Sequence, residues 1–302
     1  MTIGLCGAAG QLGRLTIRAV KARAAWATLV ALVRDPAKAE NLGIPARHAD
    51  HDQPDTLVSA FEGLDTLLLI SSNAMGGRVA QHRHVIAAAR AAGVRRLIYT
   101  SLLRADVSPL SLAEDHRQTE ADLHASGMAF TILRNGWYME NYTGSLATSV
   151  NAGALLGSAR EGRISAATRA DYAEAAAVAL ISRGHDGKTY ELAADSAFTL
   201  GQLAAEVSRQ TGRRIPYLDL AAADYAARLR DRGVPARFAD ALASWDAAAA
   251  QGALYDDGHE LSALIGRPTT PLSNAVAQAL GTSGADQARR EIRPLPVRRP
   301  AS

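Results

Sequence analysis

Cysteine is almost missing: Cys6 stands alone in 302 residues, so no internal disulfide can form and the chain is not a stapled extracellular scaffold. Its place at the end of Ile3-Gly4-Leu5-Cys6 suits a small buried hydrophobe better than a reactive thiol. Long apolar runs are missing too. Leu67–Ile70 and Met128–Leu133 fall far short of the roughly 18 residues a membrane helix needs, so no membrane span is expected. No charged stretch followed by an apolar signal core opens the sequence, which leads us to expect a cytoplasmic protein. Charge of one sign is also scarce. The formal net charge is +3, and residues 281–302 account for it: Arg289, Arg290, Arg293, Arg298 and Arg299 stand against Asp286 and Glu291. The rest is formally neutral, so the folded part lacks the basic footprint of a nucleic-acid binder. With Pro294, Pro296 and Pro300 among those arginines, 281–302 reads as a disordered extension. Nor do the histidines form a zinc-site pattern with a carboxylate. His82 and His84, two apart, fall on different faces of one helix, so no metal is expected.

What is present is a regular alternation. Short apolar runs at Ile3–Cys6, Leu29–Val33, Ala46–Ala49, Thr66–Ile70, Arg96–Thr100 and Phe130–Leu133 are separated by helical patterns at Leu12–Ala25, Arg78–Ala92 and Leu112–Ala125. That order builds βαβ units, and the fold class expected is α/β: a Rossmann-type parallel sheet with helices on both faces. Past Asn135 the pattern changes to longer alanine-rich helices, as at Tyr172–Ile181, Leu200–Thr211 and Phe238–Ala250, with brief strands at Thr189–Leu192 and Ile215–Leu218. The expected organisation is a dinucleotide-binding domain over 1–134, a smaller α+β cap lobe over 135–280 interleaved with it, and the tail over 281–302. Ligands of open α/β sheets bind outside the carboxyl edge of the strands, which locates the site at the junction.

The first strand runs into Gly7-Ala8-Ala9-Gly10-Gln11-Leu12-Gly13 and then a helix. Glycines at this spacing let the backbone turn sharply, approach a pyrophosphate and pack the helix on the sheet, while the helix N-terminus supplies amide donors. Gly7, Ala9, Gly10, Gln11, Leu12 and Gly13 are therefore candidate cofactor contacts. At the end of the second strand an acidic residue would accept the ribose 2′-hydroxyl, whereas an arginine accommodates a 2′-phosphate. The residue there is Arg34, opening Arg34-Asp35-Pro36-Ala37-Lys38, and Arg34 with Lys38 favours NADP over NAD. Solvated surface cations are the alternative. Asp35 reads as an N-cap before Pro36. Asp50, ending the third strand, is placed to accept from an adenine amine, while Asp52 reads as a helix cap. Ser71, Ser72 and Asn73 end the fourth strand and Thr100 and Ser101 the fifth, small polar groups beside the same cofactor path.

Many enzymes of this fold reduce carbonyls with a tyrosine and a lysine four residues later. Leu112 and His116 hold that spacing here, and leucine donates no proton. The gap argues against ketone or alcohol chemistry and for an acceptor whose reduced anion is already stable, such as a quinone. His116 either assists as a proton carrier or simply faces a helix surface. Trp137 and Tyr138 either offer flat surfaces to an aromatic guest or anchor the cap.

These motifs resemble those of the NmrA-like, atypical short-chain dehydrogenase family and, within it, the bacterial type 2 NAD(P)H:quinone oxidoreductases. The likeness is carried by the glycine loop, Leu32–Lys38, Leu67–Ser72, Gln81-His82-Arg83, Tyr99–Leu103, Leu133–Tyr142 and Ala167–Tyr172, and spans roughly 1–280. It implies that Asn135, Gly136, Trp137, Tyr138 and Glu140 pass beside the nicotinamide half of NADPH and that Arg169 reaches the cofactor. For Asp171 the helix-cap reading is the stronger one. The function expected is NADPH-dependent two-electron reduction of a small planar quinone by hydride transfer, with His116 and Tyr138 as candidate catalytic residues and a homodimer compatible with the chain. The competing expectations are a non-catalytic NADP(H)-sensing regulator and an NADP-dependent reductase of another small metabolite.

Overall fold

The strands in chain order are β1 (Thr2–Cys6), β2 (Thr28–Val33), β3 (Ala46–His48), β4 (Thr66–Leu69), β5 (Arg96–Leu102), β6 (Ala129–Asn135), β7 (Leu155–Gly157), β8 (Lys188–Leu192) and β9 (Tyr217–Asp219). The helices are α1 (Gln11–Arg23), α2 (Leu57–Phe61), α3 (Arg78–Ala91), α4 (Ala113–Ala125), α5 (Glu140–Thr143), α6 (Leu146–Ala152), α7 (Arg169–Ile181), α8 (Leu200–Thr211), α9 (Ala222–Asp231), α10 (Ala236–Ala249), α11 (Glu260–Ile265) and α12 (Leu272–Glu291). The computed structural model describes residues 1–72, 74 and 76–291.

Seven strands form one parallel sheet in the order β3-β2-β1-β4-β5-β6-β8. Successive side chains point to opposite faces, so each apolar run feeds two cores. Ile3, Leu5, Leu68, Ile98 and Leu133 pack on one face against α1, α7 and α11. Cys6, Leu67, Leu69, Leu97, Tyr99 and Ile132 pack on the other against α2, α3 and α4. On α1 the buried residues Leu12, Thr16, Ile17 and Val20 form one stripe, and the alanines of α7 let that helix lie close beside it. Cys6 is buried without a disulfide, and burial pushes its thiol up to about 12, as expected of a packing residue.

The second half of the chain divides between two tasks. Thr189–Leu192, expected as a cap strand, instead belongs to β8 and extends the main sheet beside β6, while α7 covers that sheet. The period-2 pattern marks a strand but not its partner. The rest of the cap is built on β7 and β9, paired in parallel, and on a third core that includes Met139, Phe198, Leu203, Trp245 and Val276. Both Thr168 and Thr199 start helices with reciprocal capping boxes, to Asp171 and Gln202 respectively. Asp171 is also bonded by Thr270 and Arg267, tying α7 to the segment ahead of α12. Helix α12 continues to Glu291, so the backbone is helical in the first part of the segment expected to be disordered; 292–302 lie outside the described residues.

Candidate active site

At the carboxyl ends of β1 to β4 lies a cleft of about 820 Å³. Its centre is the β1–α1 turn. Gly7 takes φ +79°, in the left-handed region. Gly13 lies so close to the turn that a Cβ would come 2.3 Å from the Gly7 carbonyl oxygen and 2.7 Å from Ala8 Cα. The helix is thereby seated on the loop. Gly10 caps α1 without a side chain, and no acidic residue occupies its first turn. The first N–H groups and the positive helix end are left for an anion. Gly7, Ala9, Gly10, Gln11, Leu12 and Gly13 all line the cleft.

On the β2 side, Arg34 and Lys38 stand on the wall. Asp35 caps the 3-10 turn Pro36–Leu42 by accepting from Ala37 N at 3.1 Å, as expected, and lies 3.9 Å from Lys38 Nζ. Among the described residues the Arg34 guanidinium has no acidic partner. Arg14, which the sequence reading passed over, braces this side: its Nε donates to Ala9 O at 2.9 Å, Nη1 to Asn41 Oδ1 at 2.7 Å and Nη2 to Lys38 O at 3.3 Å. The brace joins the glycine loop to the turn carrying Lys38, a link between residues far apart in sequence. Asp50 lines the cleft, its carboxylate accepting from Asp52 N and from Gln53 Nε2. Asp52 does not cap a helix: Gln53 precedes the next 3-10 turn, and the Asp52 carboxylate accepts from Gln81 at 2.9 Å on the cleft wall. His51, also on the wall and not foreseen, is lowered in pKa mainly by burial.

On the far side stand Ser71, Ser72, Tyr138 and Arg169. The Arg169 guanidinium lies over the Tyr138 ring, 4.3 Å from its centroid, and is steered there by Glu140 and Asn141. Burial raises the Tyr138 hydroxyl, partly offset by Asn135 and Arg169, so the phenol stays protonated. Two buried acceptors nearby, Ser72 Oγ and Asn135 Oδ1, have no hydrogen-bond partner among the described residues. Orphaned polar atoms are costly in an interior and suit a ligand that completes them.

Several expected contacts do not reach the cleft wall. Thr100 is turned inward and accepts from Ser71 N at 2.9 Å, while Ser101 donates to the buried Glu120 carboxylate. Gly136 is buried, and a Cβ there would meet the Tyr172 hydroxyl at 2.9 Å. Trp137 packs edge-on against Trp245 at 5.4 Å and so anchors the cap, the second of its two readings. Glu140 sits behind Arg169 and accepts from its backbone N–H at 2.9 Å. His116 is buried with Nδ1 2.7 Å from the Tyr99 hydroxyl, and burial pulls it down to about 3; it stands as a neutral internal partner off the wall. Asn73 lies outside the described residues.

Residues 7–182 match a family described as NAD(P)H-binding. An NmrA-like family domain-containing oxidoreductase of Aspergillus flavus is 31% identical over 91% of this chain and 94% of its own length. The chain belongs to the NAD(P)H-binding, NmrA-like family. Quinone oxidoreductase 2 of Escherichia coli is 50% identical over 91% of this chain and 97% of that protein. A crystal structure of an Escherichia coli NADPH-dependent quinone oxidoreductase complexed with NADPH superposes with a TM-score of 0.89 at 49% identity, covering 92% of this chain and 99% of that one.

Proposed function

We propose that this family member is an NAD(P)H:quinone oxidoreductase that uses NADPH to reduce a small planar quinone by two electrons. The observation that carries the reading is the cleft itself: an uncapped helix end at a glycine turn, flanked by Arg34 and Lys38 on one side and by Tyr138 and Arg169 on the other. The near full-length likeness to Quinone oxidoreductase 2 supports the choice of acceptor. NADPH, when bound, supplies the hydride. Gly10 to Gly13 hold its pyrophosphate on the α1 N-terminus, and Arg34 with Lys38 hold the 2′-phosphate. The adenosine lies toward Asp50, and the path continues past β4 toward Ser71, Ser72, Tyr138 and Arg169, which assigns that end to the nicotinamide. The orphaned Ser72 Oγ and Asn135 Oδ1 fit such a polar guest.

Holding two flat rings in contact is then the main task of the protein, because a quinone's reduced anion needs no strong acid. Tyr138, neutral and shielded, is the group we assign to the reaction side, offering a hydroxyl to the developing anion. His116, held on Tyr99, acts behind the wall. Arg169, anchored by Glu140, orients the Tyr138 ring. The reading extends to a cytoplasmic enzyme and to pairing of two copies, which light scattering of purified protein would decide.

The test is the NADPH absorbance band on adding a simple benzoquinone. Rapid decay that depends on enzyme concentration is expected, with Tyr138→Phe slower at unchanged NADPH affinity. Tight NADPH binding without turnover against a panel of quinones would instead identify a sensor, and turnover of a different metabolite the second alternative.

A further inference from the structure

Behind the cleft wall two polar side chains of α3, each held by a side chain of α4, converge on the backbone of a single residue. Ser72 follows β4 and lines the cleft. Its N–H donates to His82 Nε2 at 3.2 Å, and its carbonyl accepts from Arg78 Nε at 2.8 Å. Arg78 and His82 are one turn apart on α3 and so share a face. Each is held in turn from α4. Arg78 Nη1 donates to Asp115 Oδ2 at 2.9 Å, with the arginine side chain only 7% exposed. His82 Nδ1 lies 3.0 Å from Thr119 Oγ1, and the Thr119 hydroxyl donates to Asp115 O at 2.9 Å.

The donor order follows. Thr119 spends its proton on the Asp115 carbonyl, so it accepts from His82 Nδ1–H; Nε2 is therefore bare and accepts from Ser72 N–H. The next residue back is fixed as well, since Ser71 N donates to Thr100 Oγ1 at 2.9 Å. With this backbone held on both sides, the Ser72 hydroxyl remains buried and unpartnered among the described residues. Burial, with His116, His51 and Arg78 nearby, keeps His82 neutral, and the Tyr99 ring packs against it edge-on at 5.3 Å.

From this geometry we infer that Arg78 and His82, backed by Asp115 and Thr119, are positioning residues for hydride transfer: they clamp the Ser72 peptide so that its hydroxyl meets the nicotinamide-side ribose of NADPH. The inference rests on the NADPH-dependent reading above. None of the four touches the cofactor; they act through Ser72. Protonated His82 would present an N–H to the Ser72 N–H and open the clamp, so the neutral tautomer is part of the device. Among the described residues Arg78, itself paired with Asp115, His116, His51 and Tyr99 are the titratable or charged groups facing His82.

The experiment compares wild type, His82→Leu, His82→Gln, Ser72→Ala and the Ser72→Ala/His82→Leu pair by NADPH titration, steady-state benzoquinone reduction and thermal melting. Glutamine can both accept from Ser72 N and donate to Thr119. His82→Leu should lose about tenfold in kcat/KM for NADPH, and His82→Gln should recover most of it at a comparable melting temperature. The double variant should lose little more than either single one, because both act on one contact. Full activity of folded His82→Leu, additive losses in the pair, or no effect of Ser72→Ala would each overturn the inference; the last holds even if His82→Leu fails to fold. Wild-type protein that neither binds NADPH nor turns over would sink the parent reading instead, so the two failures are told apart.

Discussion

The two ends of the cleft are made in different ways. At the Arg34 end the wall is exposed and local: a glycine turn, a helix N-terminus and two cations on a short 3-10 turn, most of it within the first 38 residues. At the Ser72 end the wall is partly buried and assembled from afar, with side chains or hydrogen bonds contributed by β5, α3, α4 and the segment from Tyr138 to Arg169 to the residues that follow β4. The first end binds charge and can stay wet. On the proposed assignment the second holds a reacting ring within a narrow range of positions, which requires packing from several directions. Affinity and geometry are thus supplied by separate parts of one cleft.

Four experiments would break or sharpen that contrast. Gly13→Val strikes the local end at its glycine turn, since even a Cβ overlaps the Gly7 carbonyl. NADPH affinity should fall by about a thousandfold in calorimetry, with a lowered melting temperature; near-normal binding would remove the close-approach argument. Acid should erode the buried end next. His82 and His116 are drawn down to about 3 from 6.5, so the unfolded chain takes up protons first as pH falls. Their contribution is full above 6.5 and is lost progressively toward 3, about 2 kcal/mol each by about pH 5. Melting temperatures recorded across that range should fall, and should fall less steeply in His82→Gln; a flat profile would contradict the buried neutral pair.

Arg34→Ala should weaken NADPH by about thirtyfold while sparing NADH, the size of a lost charge-assisted contact. Equal weakening for both nucleotides in parallel titrations would refute the 2′-phosphate assignment. The smallest effect is expected from Arg14→Ala, about fivefold on NADPH affinity, because it loosens the link between the Ala9 and Lys38 carbonyls without removing a ligand contact. An effect as large as that of Arg34→Ala would make Arg14 a direct contact rather than a brace.

The residues readable in advance were those whose role is local. Gly7 and Gly13 announce a turn and a close approach because a side chain is strained at the first and collides with the Gly7 carbonyl at the second. Arg34, proposed to meet a 2′-phosphate, reaches the cleft wall because it ends the second strand there. Thr100 and Ser101 were expected on the wall because they end a strand there; hydrogen bonds to Ser71 and Glu120 turn them inward instead. Trp137 and Tyr138 are neighbours of similar chemistry, yet one packs into the cap core and the other lines the cleft. Which way each side chain points depends on partners from other elements, Trp245 for Trp137 and Tyr172 with Arg169 for Tyr138.

From its order of apolar runs and glycines alone, the chain determines a parallel sheet and a first turn that opens onto a bare helix N-terminus, because both follow from the backbone preferences of neighbouring residues. Only the folded molecule decides that β8 joins the main sheet, that Arg14 braces the loop, and that α3 and α4 hold Ser72 from behind. Those contacts are fixed by which surfaces bury each other, and burial is a property of the whole chain.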